Sequence, residues 1–148
     1  MAKKFRFRLE ALLKIRADAV KEAKNSLNIA LRYRYEKERQ IENLKNVKQE
    51  QLEKRLNVSK AQDMQILKDH INSIDNQIAN EELEKQKLIE IENARRMRLN
   101  EAMKEEKVIL KLKEKKLQEH EQELKREETN FLDEIASQQY MKKQQPTG

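Results

Sequence analysis

The chain has 148 residues, of which 41% are charged and 36% apolar, with a formal net charge of +6 and one Gly and one Pro, Gly148 and Pro146. Ordinary globular domains place Gly and Pro at many turns, so this composition excludes that class and points to long helices or a coiled coil. The absence of Cys excludes disulfides and thiolate metal sites, and no apolar run approaches the roughly 18 residues of a membrane span.

The chain opens with FRFRLEALLKIR at residues 5–16, where two of its three Phe residues stand beside Arg. Glu10 and Lys14 interrupt the apolar character, unlike a signal peptide, and the expected location is cytosolic. Three uses of this opening compete. A membrane-surface helix over residues 3–16 would set Phe5, Leu9, Leu12 and Leu13 in lipid, with Lys3, Lys4, Arg6 and Arg8 near headgroups. A nucleic-acid arm would use the cations on phosphates and Phe5, Phe7, Tyr33 and Tyr35 on bases. Against that, acids are interspersed with the bases almost everywhere, as in a solvated helix with i,i+4 pairs. The third use is one end of a helical hairpin that a protein partner grips.

Apolar residues then recur at helical spacing: Phe5, Leu9, Leu12, Val20, Ala23, Leu27 and Ala30, followed by Ile41, Leu44, Leu52 and Leu56. This predicts a first helix over about residues 5–56, with Arg16, Arg34 and Lys37 in the seam and a slip of phase between Leu44 and Leu52. A turn is expected at 57–59, with Asn57 left-handed and Ser59 and Gln62 forming a weak capping box. The sequon Asn57-Val58-Ser59 is read as part of that turn.

A second helix is expected over about 60–138. It starts with the stripe Met64, Leu67, Ile71, Ile74 and Ile78, turns polar through ANEELEKQ, and resumes at Leu88, Ile91, Leu99 and Ala102. Met103, Leu110, Leu117, Leu124 and Phe131 follow at seven-residue intervals, a coiled-coil mark, with Lys107, Glu114, Glu121 and Glu128 at the companion positions. Residues 141–148 are expected to be a disordered tail. The fold class is therefore all-α: a long two-helix antiparallel coiled-coil hairpin, one domain over 1–140. At 1.5 Å per residue its helices would measure about 75 and 120 Å. Pairing from a turn near residue 58 would set residue 5 beside residue 111.

Charge is uneven. Residues 1–39 hold 12 Lys/Arg against 5 Asp/Glu, residues 61–93 hold 3 against 8, and residues 94–126 hold 11 against 7. Folding back near the middle brings both basic segments to one end. The cluster Arg95, Arg96 and Arg98 exceeds what local i,i+4 pairing requires. His70 and His120 lack neighbours at ligand spacing and read as exposed helix residues, so no metal, cofactor or small-molecule substrate is expected. Nor is any catalytic residue: a helical hairpin has no desolvated pocket to shift a carboxylate pKa.

FRFRLEALLKIR resembles the opening of the flagellar export protein FliJ family, with Phe7, Leu9, Leu12, Leu13 and Arg16 matching. The stretch KVILKLKEKKLQEHEQELKREETNFLDEIA resembles that family's C-terminal helix, through Leu112, Lys113, Glu114 and Lys115 and the closing Leu132, Asp133, Glu134, Ile135 and Ala136. Leu110 stands where members often have Glu. The resemblance implies a non-enzymatic component of the flagellar type III export apparatus, serving flagellum biogenesis and motility. Such proteins are similar to the two-helix coiled coil of the rotary ATP synthase gamma subunit. They insert in a hexameric export ATPase ring, contact a membrane export gate protein and receive export chaperones, at the cytoplasmic face of the inner membrane. It further implies ring contact through Phe5, Arg6, Phe7, Arg8, Arg16, Arg95, Arg96, Arg98, Lys113 and Lys115, and gate contact through Met64, Leu67, Ile71 and Ile74.

Overall fold

The computed structural model describes residues 4–144. It is all-α, with no strand among the described residues: α1 spans Glu10–Arg55 and α2 spans Ala61–Gln144, and the two pack against each other.

The helix ends follow local chemistry. α1 opens where the Leu9 carbonyl takes the Leu13 N–H at 2.9 Å, and Glu10 places an acid against the positive helix start. It closes with Lys54 and Arg55 in its last turn, after which the N–H groups of Leu56, Asn57 and Val58 donate to the carbonyls three residues back. This tightened exit needs no left-handed residue. Asn57 accordingly does not have positive φ, contrary to the sequence expectation. The first bond of α2, Met64 N–H to the Lys60 carbonyl at 3.0 Å, makes Lys60 the cap instead of Ser59. α2 also continues past residue 138 to Gln144. No Gly or Pro interrupts the stretch before Pro146, so residues 141–144 are helical, and only 145–148 of the expected tail lie outside the described residues.

The chain divides into two units. One is Ala19–Ala102; the other combines Met1–Asp18 with Met103–Gly148.

In the unit 19–102, inward positions on α1 alternate steps of three and four: Val20, Ala23, Leu27, Ala30, Arg34, Lys37, Ile41, Leu44 and Lys48. α2 answers with Leu67, Ile71, Ile74, Ile78, Glu81, Lys85, Leu88, Glu92, Arg95, Leu99 and Ala102. The phase does not slip after Leu44. Lys48 fills the next seam position and pairs with Asp75 at 2.6 Å. Met64 and Ile91, expected in the stripe, are exposed, and Glu92 is the buried residue beside Ile91.

The middle of this seam is ionic. Glu92, a residue only 6% exposed, accepts through its carboxylate from the Arg34 Nε and, at 3.0 Å, from Arg96. Arg34 also donates to Glu38 at 2.7 Å. Hydrogen bonding to Glu92, then to Glu38, raises the Arg34 pKa. Lys37 donates to Glu81 and Glu84, both at 2.7 Å; these bonds raise the Lys37 pKa, and Lys37 holds the Glu84 carboxyl below its ordinary value. The polar run ANEELEKQ of α2 is thus the complement of Lys37.

In the other unit no described residue is fully buried. Its half-buried residues include Leu9, Leu12, Leu13 and Arg16 on the N-terminal side and Glu106, Ile109, Leu112, Lys113, His120 and Leu124 on α2. The seven-residue series behaves differently from expectation: Met103 (46%), Leu110 (45%), Leu117 (38%) and Phe131 (61%) are exposed, and only Leu124 is half-buried. The inward positions include Glu106, Ile109 and Lys113. The more apolar series occupies the flank of the seam.

Removing one partner of the buried ion pair exposes what the pair does. Arg34→Met should destabilise by about 2–3 kcal/mol, less than the ~3–5 of an enclosed pair because Arg96 still reaches Glu92. Arg34→Met with Glu92→Leu should recover most of that loss, in thermal or urea unfolding followed by circular dichroism; equal stability of the single variant and the parent would refute the assignment. pH gives a second check. Lowering of the Glu84 pKa contributes stability that is present above the ordinary carboxylate value of about 4.3 and lost as pH falls through its lower folded value. Raising of the Lys37 pKa contributes stability present below the ordinary value of about 10.4 and lost as pH rises through its higher folded value. Lys37→Met should therefore blunt the alkaline fall in thermal midpoint and remove part of the acid fall.

Candidate functional site

The first described residues are not helical. Residues 4–7 have no regular secondary structure, a turn follows at 8–9, and the Glu10 N–H closes it on the Phe7 carbonyl at 3.2 Å. Burial alternates strictly: Lys4, Arg6, Arg8 and Glu10 are exposed, while Phe5, Phe7 and Leu9 are half-buried. A helix from Phe5 would spread these residues around its circumference. Drawn-out backbone sorts them onto two sides instead, apolar against α2 and basic toward water.

The register follows. Glu10 pairs with Lys113 at 2.9 Å, Arg16 with Glu105 at 2.8 Å, and the Phe5 ring lies 5.6 Å from the His120 ring, tilted by 48°. Five residues from Glu10 back to Phe5 thus match seven on α2. That exceeds helical rise and accounts for two of the nine residues separating His120 from the expected residue 111; the other seven are already present at Glu10, which the expected register would set beside residue 106 and which pairs with Lys113. His120 is accordingly half-buried and ring-packed, not the exposed helix residue expected; His70 is exposed. Between segment and helix lies a cavity of 680 Å³. Phe5, Phe7, Leu9 and Leu112 give it an apolar floor. Lys4, Arg6, Arg8 and Lys116 supply cations at its edge, and Glu119, His120 and Glu123 complete the helix wall.

The sequence-predicted ring-contact residues fall into two groups. Phe5, Arg6, Phe7, Arg8, Arg16, Lys113 and Lys115 belong to this unit; Arg6, Arg8 and Lys115 are exposed, while Arg16 and Lys113 are engaged in the ion pairs above. Arg95, Arg96 and Arg98 belong to the unit 19–102. There Arg95 donates across to the Ser26 carbonyl at 2.8 Å, Arg96 serves Glu92, and Arg98 is exposed. Of the gate-contact set, Ile71 and Ile74 are buried, Leu67 is half-buried and Met64 is exposed. Among the described residues no group of His, Cys, Asp or Glu is arranged to hold a metal ion, and no helix is long and apolar enough to cross a membrane.

A family model described as flagellar FliJ protein matches residues 5–145, nearly the whole chain. The chain belongs to the FliJ family. It is a component of the flagellar export apparatus, in a family that is not catalytic. No curated protein and no solved structure matches it. The stretch FRFRL that opens the family match is the same stretch whose alternation builds the basic edge and apolar floor of the cavity.

The alternation separates two kinds of variant in this FliJ-family chain. Arg6→Glu with Arg8→Glu should leave helicity and thermal midpoint nearly unchanged, since both side chains are exposed. Phe5→Ala with Leu9→Ala should release the segment. Hydrogen exchange at residues 10–16 should then speed up while exchange at 71–78 stays as in the parent. Uniform acceleration across both regions would count against a locally anchored segment.

Proposed function

We propose that this chain is the non-enzymatic coiled-coil stalk of the flagellar type III export apparatus, acting in the cytoplasm at the flagellar base. It seats in the hexameric export ATPase, promotes ring assembly and hydrolysis, and connects the ring to the export gate and to export chaperones. The observation that carries this reading is the family match over residues 5–145. Its support in the geometry is the division of cations. Arg16, Arg95, Arg96 and Lys113 are spent on internal bonds, whereas Arg6, Arg8, Arg98 and Lys115 remain exposed for acidic loops of a ring. For the gate, the opening turns of α2 offer Met64 and Leu67, and the buried Ile71 and Ile74 hold those turns in place from behind.

The test is ATPase stimulation by the purified chain, measured at low and physiological salt together with ring assembly. The parent should raise hydrolysis and oligomerisation while hydrolysing no ATP itself, with stimulation weakening as salt rises. Arg6→Glu, Arg8→Glu and Lys115→Glu combined should keep the helicity and lose most of the stimulation; Arg98→Glu should be examined separately. A folded charge-reversed variant that stimulates normally would reject seating by this edge, and no stimulation by the parent at any ratio would reject the ATPase partnership.

A further inference from the structure

We propose that the segment 4–9 is a binding site for an extended acidic peptide, one whose apolar residues alternate with Asp or Glu. Three observations converge on that chemistry. First, residues 4–7 have no regular secondary structure, and apart from the Phe7 carbonyl their N–H and C=O groups have no backbone partner among the described residues. An extended chain laid alongside would pair with them as an added strand. Second, the exposed side chains at alternate positions are all cationic: Lys4, Arg6 and Arg8, none of which forms an ion pair among the described residues. Third, the cavity beside them is floored by Phe5, Phe7, Leu9 and Leu112, so an occupant with a period of two can turn its apolar side chains in while its carboxylates meet the guanidinium groups.

Charge selects the occupant. On the helix wall Lys116 lies 3.5 Å from Glu119 and offsets it, which leaves Glu123 against the three cations of the segment. The edge therefore attracts carboxylates and repels basic peptides. An alternating acidic strand satisfies the backbone, the cations and the apolar floor together, whereas an acidic helix would leave the backbone groups of residues 4–7 unpaired. The site goes beyond the stalk reading and does not depend on it, because any protein presenting such a strand would fit.

The test uses the full chain without ATPase. A fluorescein-labelled octapeptide of alternating Glu and Val is titrated and followed by anisotropy, beside a block peptide of the same composition with all Glu preceding all Val. Expected is saturable binding of the alternating peptide, at least about tenfold tighter than the block peptide. Binding should weaken by about tenfold or more in Arg6→Glu with Arg8→Glu, whose helicity is checked by circular dichroism. N-methylation of alternate peptide groups should abolish binding in one phase and spare it in the other, since only one edge of a strand faces the segment. Equal binding of both peptides would overturn the proposal in favour of undirected charge attraction. Equal loss in both methylation phases would overturn strand addition. Binding of phosphatidylserine vesicles that depends on Arg6 and Arg8, with no peptide binding, would assign the edge to a membrane. ATPase stimulation is a separate readout: if it persists while the peptide fails to bind, this site is wrong and the stalk reading stands.

Discussion

The constraint on which the longer unit depends is the Glu92 carboxylate, buried on α2 and held by Arg34 from α1 and Arg96 from its own helix. A buried carboxylate without a cation is strongly unfavourable, so few alignments of the two helices are tolerable. Sliding α2 by one heptad would bring Lys85 or Leu99 to the place of Glu92 and leave Arg34 against a cation or an apolar side chain. Apolar residues alone would not fix register so firmly. Val20, Ala23, Ala30, Ile41, Ile71 and Ile74 make up the buried apolar set among the described residues, and small or β-branched residues at repeating positions tolerate displacement by a heptad. Specificity here rests on charge and adhesion on a narrow apolar seam.

Lys37 repeats the arrangement in a wetter setting. Its two acceptors, Glu81 and Glu84, are unequally exposed, and the shallow site makes their attraction weaker than that at Glu92. Together the Arg34 and Lys37 positions span the stretch where α1 lacks a large apolar seam residue between Ala30 and Ile41. The acids of α2 fall on that stretch. What looks in sequence like two separate weaknesses, a cationic gap in one helix and a polar run in the other, is a single matched layer.

That layer was half legible in the sequence. The three- and four-residue spacing placed Arg34 and Lys37 in the seam, and it named Leu67, Ile71, Ile74 and Ile78 on α2, because strong periodicity specifies a face. Their partners were not legible, since pairing depends on register, and register depends on a turn with no Gly to mark it. Farther along α2 the same method chose the wrong face. Met103, Leu110 and Leu117 are exposed, whereas Glu106, Ile109 and Lys113 are half-buried. A seven-residue interval specifies a period but not which of the neighbouring phases faces the partner helix. At the N-terminus the signal was present and misassigned: Lys4 to Glu10 alternate basic or acidic with apolar residue by residue, a period of two rather than 3.6.

The same structure decides which charges are available to a partner. A count of Lys and Arg marks the Arg95 to Arg98 cluster and the N-terminal segment as equivalent basic patches, but their roles differ. Arg95 satisfies a backbone carbonyl of α1 and Arg96 balances a buried acid, so removing either disturbs the fold before it disturbs any contact. Arg6 and Arg8 form no ion pair among the described residues, and they are held outward because Phe5, Phe7 and Leu9 occupy the other side of the same short segment. Flexible cations lose side-chain freedom when they bind, and a segment already anchored by its apolar side reduces the backbone part of that loss. The aromatic residues that open the chain thus serve the cations beside them: by fixing one side of the segment they orient the other, which is why so few aromatics are needed and why they stand among Arg residues.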